Sequence, residues 1–197
     1  MMKTKCYHFK TLESNGYVLD LCRHHQMNVS LILLQCSRSL AWFNGHVSYR
    51  KVGPGCSVAP SDVLFVDMPP GTGDTQLSFA QSVEVDGAII VTTPQQVAIQ
   101  DAIKGVEMFR KTNVPIIGCI LNMSSYICNS CGEETKLKSN IHRLTDDNSI
   151  ELLGDLPLDL NVSNACDEGH PIVLDSEKHV QGRKFETIVR KINDKLF

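Results

Sequence analysis

The 197-residue sequence predicts an α/β fold, a doubly wound and mostly parallel sheet, and three observations carry that reading. Short apolar runs bounded by turns recur at residues 63–66, 87–91 and 115–121. Runs of that length without polar alternation suit strands covered on both faces of a parallel sheet. Residues 95–111 have helical spacing, with Val97, Ile99, Ala102, Ile103, Val106 and Phe109 falling mostly on one side. A second amphipathic stretch, residues 177–196, closes the chain with Phe185, Ile188, Val189 and Ile192 turned inward. Alternation of strand, helix and strand implies right-handed crossovers with helices on both faces. A fourth strand is expected at residues 150–153.

Composition sets the outer bounds. Apolar residues are 42% of the chain and charged residues 21%, which excludes collagen-like, wholly disordered and coiled-coil chains. The net charge of −3 gives no global basic field for nucleic acid. The longest strongly apolar run, residues 29–34, is far short of the roughly 20 residues that span a bilayer. Eight cysteines are too sparse for a disulfide-stapled domain of this length and read as reduced thiols with one or two special positions.

The average hides a split. Residues 1–50 carry six Lys or Arg against two acids, Glu13 and Asp20, whereas the remainder holds 13 basic and 20 acidic residues. This start also contains three of the eight cysteines and the only tryptophan, Trp42, with no clean period of 2 or 3.6. An irregular segment, or one foreign to the natural start of the domain, is the expectation for it. A basic, acid-poor start favours a mitochondrial address, although Cys22, His24, His25 and residues 31–34 fit a Ser- and Arg-rich targeting helix poorly. The turn-forming residues 52–55 mark a boundary, so residues 1–60 and 61–197 are read as separate segments.

In open parallel sheets ligands bind beyond the carboxyl ends of the strands. The first strand ends in Asp67 and runs into Met-Pro-Pro-Gly-Thr-Gly-Asp. An apolar strand ending in Asp is how nucleotide hydrolases support Mg²⁺, and Gly71 and Gly73 let backbone N–H groups approach a phosphate. The plain alternative is a turn capped by Asp67. After the second strand, Thr93 before Pro94 is expected to cap the next helix, with Thr92 able to face a nucleotide. Within that helix Asp101 and Lys104 suit a solvated surface pair. After the third strand, the Asn122 amide offers the donor and acceptor that an adenine edge needs, or simply forms a turn.

Cys128 and Cys131 stand in a CxxC followed by Gly132, a spacing that places two sulfurs around one metal. Two thiolates are half of the four that zinc or an iron–sulfur cluster takes. The sequence has no second CxxC. Either Cys119, Cys166 or His142 joins in, or a two-fold mate supplies the other pair, which is the economical solution. Cys119 lies within an apolar run, where burial is its expected role. A redox dithiol and a mononuclear zinc knuckle remain alternatives.

Several stretches together, DVLFVDMPPGTGDTQLS (62–78), TTPQ (92–95), KGVEMFR (104–110), NVPIIGCILNM (113–123), the CxxC and LGDLP (153–157), resemble the Mrp/NUBPL-like ATP-binding proteins, MinD-related P-loop NTPases. The resemblance covers residues 61–197. It implies a homodimer with a 4Fe–4S cluster bridged between two CxxC loops and passed to apoproteins, those of respiratory complex I in the mitochondrial branch. Carried over, Cys128 and Cys131 are cluster ligands, Asp67 supports Mg²⁺, and Gly71, Thr72 and Gly73 form a phosphate-sensing switch. Asn122 meets the adenine of ATP, with Pro157 and Asp159 lining its far side. A mitochondrial matrix location follows from the same branch, with a cytoplasmic one as the alternative.

Two departures qualify the resemblance. The family begins with a strand leading into a KGGVGKS-type loop, and this sequence contains no Gly-Lys dipeptide. The chain looks like the C-terminal part of such a protein behind an unrelated start, without its central first strand, which puts independent ATPase activity and stable folding of the chain alone in doubt. Beyond the CxxC, the family's Ile-Phe-Gly is replaced by Lys136, Leu137 and Lys138. A catalytically inactive interaction protein that pairs with a complete paralogue is the reading from another class.

Overall fold

A computed structural model describes residues 5–9, 29–35, 42–43, 46–48, 57–58, 63–68, 72–82, 85–128, 130–169, 172–175 and 179–196. The chain runs through β1 (Lys5–Phe9), β2 (Val29–Gln35), β3 (Trp42–Phe43), β4 (His46–Ser48), β5 (Ser57–Val58), β6 (Val63–Asp67), α1 (Asp74–Ser82) and β7 (Gly87–Thr92). It continues through α2 (Gln96–Lys111), β8 (Ile116–Ile127), β9 (Glu134–Lys136), α3 (His142–Thr145), β10 (Leu152–Leu158), α4 (Leu160–Glu168), a 3₁₀ turn (Ile172–Asp175) and α5 (Val180–Leu196).

The main sheet has the order β1-β6-β2-β7-β8-β10, with β9 paired to β8. Strands β7, β8 and β10 are mutually parallel. Because β2 pairs antiparallel with both β6 and β7, those two also run in one direction. The four apolar strands read from the sequence therefore share one polarity, as a doubly wound sheet requires.

Both faces are covered, which explains why these strands lack polar alternation. Successive residues point to opposite faces. Ala88, Ile90 and Cys119 pack with Ile99, Ala102, Val106 and Phe109 of α2 and Leu144 of α3. Ile89, Ile120, Leu153 and Leu156 pack on the other face with Phe185, Ile188, Val189 and Ile192 of α5. Helix α5 comes close enough to β10 that a Cβ at Gly154 would lie 2.6 Å from Ile188 Cγ1, so this position needs glycine.

Four expectations are corrected here. The start of the chain is not wholly irregular: β1 and β2 join the main sheet, and β3, β4 and β5 form a small antiparallel one. The centre of the sheet is not left open, because β2 fills it. The expected strand at 150–153 lies instead at Leu152–Leu158. Helix α2 turns Ala98 inward rather than Val97, which is 69% exposed, because the buried stripe begins one residue later. It ends where Asn113 adopts φ 57°, a conformation that Asn tolerates, two residues before Pro115.

Candidate functional site

The CxxC sits at the tip of an arm. Pairing of β8 with β7 stops at Leu121, while β8 itself continues to Ile127. Its last residues pair with β9 as a hairpin, Ser125 with Lys136, Tyr126 with Thr135 and Ile127 with Glu134. The tip is closed by Cys128 N–H donating to the Glu133 carbonyl at 3.0 Å and Gly132 N–H donating to the Cys128 carbonyl at 2.8 Å. Gly132 has φ +71°, the left-handed conformation that permits this turn. Cys128 is half-buried and Cys131 exposed. Backbone N–H groups of Cys131 and Ser130, and the Cys131 thiol, point at the Cys128 sulfur and hold its pKa below the ordinary 9.0. That favours the thiolate, the form that binds metal.

A bulge aims the arm. Asn122 pairs with Leu156 and Tyr126 with Leu158, so β8 advances four residues where β10 advances two. Met123 absorbs the difference at φ 57°, a costly conformation for a long side chain and one found preferentially at functional sites. The Met123 N–H donates to Asn122 Oδ1 at 3.0 Å. Ser124 Oγ donates to Asp155 Oδ2 at 3.0 Å and to the Leu156 carbonyl at 3.2 Å. Lys184 Nζ donates to the same Asp155 oxygen at 2.8 Å. Burial pushes the Asp155 carboxyl up, but the bonds from Lys184 and Ser124 and the charges of Lys184 and Lys136 outweigh it and hold the pKa below 3.8. Ser125 Oγ donates to the Glu134 carboxylate, fastening the two sides of the hairpin. Sequence reasoning missed this support, because Ser124, Asp155 and Lys184 meet only through tertiary structure.

Of the in-chain candidates for further metal ligands, the two whose side chains are described lie outside the hairpin. Cys119 is fully buried in the core under α2, where desolvation pushes its thiol up to about 12. His142 is exposed at the start of α3, away from the hairpin in sequence and element. The side chain of Cys166, on α4, lies outside the described residues. Among the described residues no group of three or more His, Cys, Asp or Glu side chains could hold a metal. Among the described residues each chain thus offers two cysteines at the arm. Iodoacetamide at pH 7.5 is expected to modify native Cys128 about 100-fold or more faster than Cys119, as read by peptide mass mapping. Equal rates would mean that β8 does not bury Cys119.

The arm is flanked by exposed apolar side chains. The register partners Tyr126 and Leu158 are 43% and 38% exposed, Leu137 just beyond β9 is 47% and Leu160 is 56%. Large apolar side chains gathered on a surface mark contact faces.

The residues expected at a nucleotide fall into two groups. Asn122, Pro157 and Asp159 come together on the adjacent ends of β8 and β10. Pro157 is buried, its carbonyl accepting from Gln181 Nε2, while Asp159 Oδ1 accepts from Asn161 N–H at 2.9 Å and caps α4. The Asn122 carbonyl already takes the Met123 N–H, which leaves mainly its N–H₂ group to meet a base. Asp67 ends β6 and is half-buried, and Thr72 and Gly73 are exposed ahead of α1. Gly71 lies outside the described residues. Thr92 is fully buried and so does not face a nucleotide. Thr93 does not cap α2 either. The N-cap is Gln95, extended at φ −64° and ψ 136°, and Thr93 Oγ1 is buried without a partner. Asp101 and Lys104 do form the surface pair, at 3.0 Å.

A triphosphate with Mg²⁺ does not fit around Asp67. Both edges of β6 are occupied by antiparallel strands, so neither neighbour has its carboxyl end, where a phosphate loop would follow, beside Asp67.

Comparison with known proteins finds relatives named for iron–sulfur cluster transfer within a nucleotide-binding family. A mouse protein named iron-sulfur cluster transfer protein NUBPL is 41% identical over 137 residues, covering 68% of this chain and 43% of its own. An Arabidopsis thaliana iron-sulfur protein required for mitochondrial NADH dehydrogenase is 34% identical over 165 residues, covering 82% and 53%. An Escherichia coli iron-sulfur cluster carrier protein is 39% identical, covering 68% and 36%. The chain spans about half or less of the length of these relatives. A solved nucleotide-binding protein from Archaeoglobus fulgidus, in complex with ADP, is 32% identical with a TM-score of 0.47 over 52% of this chain and 43% of that one. Residues 55–193, which include the arm and the helices that carry it, match the family described as ParA, NUBPL iron-transfer P-loop NTPase, and the chain belongs to that family.

Proposed function

We propose that this chain is an iron–sulfur cluster carrier that holds one 4Fe–4S cluster between two copies of its arm and passes it to apoproteins. The carrying observation is the exposed hairpin tip with two cysteines, the pKa of Cys128 lowered by neighbouring N–H groups, and no further ligand group among the described residues. A cubane cluster takes four cysteines, so a second copy completes the set. The relatives' names, which speak of cluster transfer and of mitochondrial NADH dehydrogenase, support acceptors of the complex I kind and a mitochondrial matrix location. No helix among the described residues is long and apolar enough to cross a membrane.

The arm's own residues do the work. The Cys131 and Ser130 amides lower the Cys128 pKa and so favour its ligand form, and the Ser124–Asp155–Lys184 chain fixes the angle at which the tip is presented. Exposure of Cys131 leaves an approach for an acceptor's thiolates, so the cluster can leave by ligand exchange. Mixing the cluster-loaded chain with an apo 4Fe–4S dehydratase is expected to restore the dehydratase activity faster than free iron and sulfide do. Recovery no faster than with the free ions would defeat the carrier reading.

Tyr126, Leu137 and Leu158 form the contact with the second copy, as they are exposed apolar side chains on the arm and on the strand paired with it. A complete paralogue could occupy the same face in a heterodimer. Tyr126→Ser with Leu158→Ser is expected to weaken self-association of the loaded chain tenfold or more by sedimentation, at unchanged fold, because both side chains are exposed in the single chain. An unchanged association constant would move the contact elsewhere.

A further inference from the structure

We infer that this chain carries its cluster without nucleotide, because β2 closes the sheet beside Asp67 with a strand of the wrong direction; the inference rests on the carrier reading above. In P-loop proteins the phosphates are held by a loop that leaves the carboxyl end of one strand, next to the strand whose terminal Asp supports Mg²⁺. Here that Asp-terminated strand is β6, and its two edges are both taken. Lys5 of β1 pairs with Asp67 on one edge and Leu31 of β2 on the other, both antiparallel. The carboxyl ends of β1 and β2, Phe9 and Gln35, pair with Val63 at the opposite end of β6. At about 3.4 Å per residue, a loop leaving either strand starts roughly 14 Å from Asp67, on the far rim of the sheet.

The arrangement is closed on the other side as well. Strand β2 pairs with β7 from Val29 opposite Val91 to Leu33 opposite Gly87, so a parallel strand could enter between β6 and β7 only by stripping β2 of both ladders. Losing two ladders of backbone hydrogen bonds in a sheet interior is costly, since buried unpaired N–H and C=O groups each carry a desolvation penalty. The arm is built independently of this region. Its supports, Ser124, Asp155, Lys184 and the β8–β9 pairing, all lie on the other half of the sheet. Among the described residues, cluster loading therefore has the parts it needs while triphosphate binding beside Asp67 does not.

Three readouts on the full chain test this. Hydrogen exchange followed by mass spectrometry is expected to show residues 29–35 protected together with 63–67 and 87–92. Titration with a fluorescent ATP analogue and Mg²⁺ is expected to show no saturable binding up to millimolar concentration. Anaerobic loading with iron and sulfide is expected to give the same iron per chain, a ratio of one, with and without ATP. Rapid exchange at 29–35, saturable micromolar binding that Asp67→Ala weakens tenfold or more, or loading that rises severalfold with ATP would each overturn the inference. Absence of any cluster alongside absence of nucleotide binding would defeat the carrier reading and uphold the strand assignment.

Discussion

Cys128→Ala is expected to leave a folded chain that takes up no cluster. After anaerobic reconstitution, iron should fall from about two per chain, the share of a four-iron cluster held by two copies, to background, with loss of the broad absorbance near 400 nm. The size of the effect follows from ligand count. One substitution per chain removes two of four thiolates in a symmetric pair, and two cysteines do not retain a cubane. Cys131→Ala should do the same. Cys119→Ala is the control: its thiol is buried under α2, so iron is retained while some packing is lost. Because Cys128 and Cys131 lie at an exposed tip, their substitution should barely move the unfolding midpoint. A Cys128→Ala chain that still held two irons would show that the CxxC is not the ligand set.

Phe109→Ala is expected to have the largest effect on stability. Phe109 has no exposed surface and packs from α2 against the face of β7 and β8 that carries Ala88, Ile90 and Cys119. Truncating a fully buried Phe costs about 3–5 kcal/mol through lost transfer energy and the cavity left behind. For a chain of this length that lowers the thermal midpoint by about 10 °C. A midpoint shift of a degree or two would mean that α2 does not cover the sheet as described. The substitution also separates scaffold from chemistry, since Phe109 touches neither the arm nor its supports. At a temperature where the variant is folded, iron per chain should equal that of the parent.

What could be read beforehand follows the range of the interactions concerned. Helices α2 and α5 were legible because amphipathic spacing is local, and Phe185, Ile188, Val189 and Ile192 are all buried as their spacing requires. The two cysteines of the proposed half-site stand out in the sequence because a CxxC is four residues long. Strand β2 shows the limit. Its residues stand out in the sequence only as an apolar run, and the direction in which a strand enters a sheet is settled by partners far along the chain, here residues 63–67 and 87–91. The bulge at Met123 and the Ser124–Asp155–Lys184 chain were hidden for the same reason, joining β8 to elements 31 and more residues away. Thr93 misled in a different way. A Thr-Pro pair looks like a cap, yet Thr93 Oγ1 is buried without a partner and the cap position falls two residues further on, at Gln95.

Native mass spectrometry of the anaerobically reconstituted chain tests the central claim most directly, because it counts chains and metal in one species. The expected ion is two chains plus one Fe₄S₄ unit, collapsing to single chains without iron when Cys128 is replaced. A single chain carrying one zinc ion, or a dimer that keeps its mass after loss of all metal and never takes up iron, would contradict it.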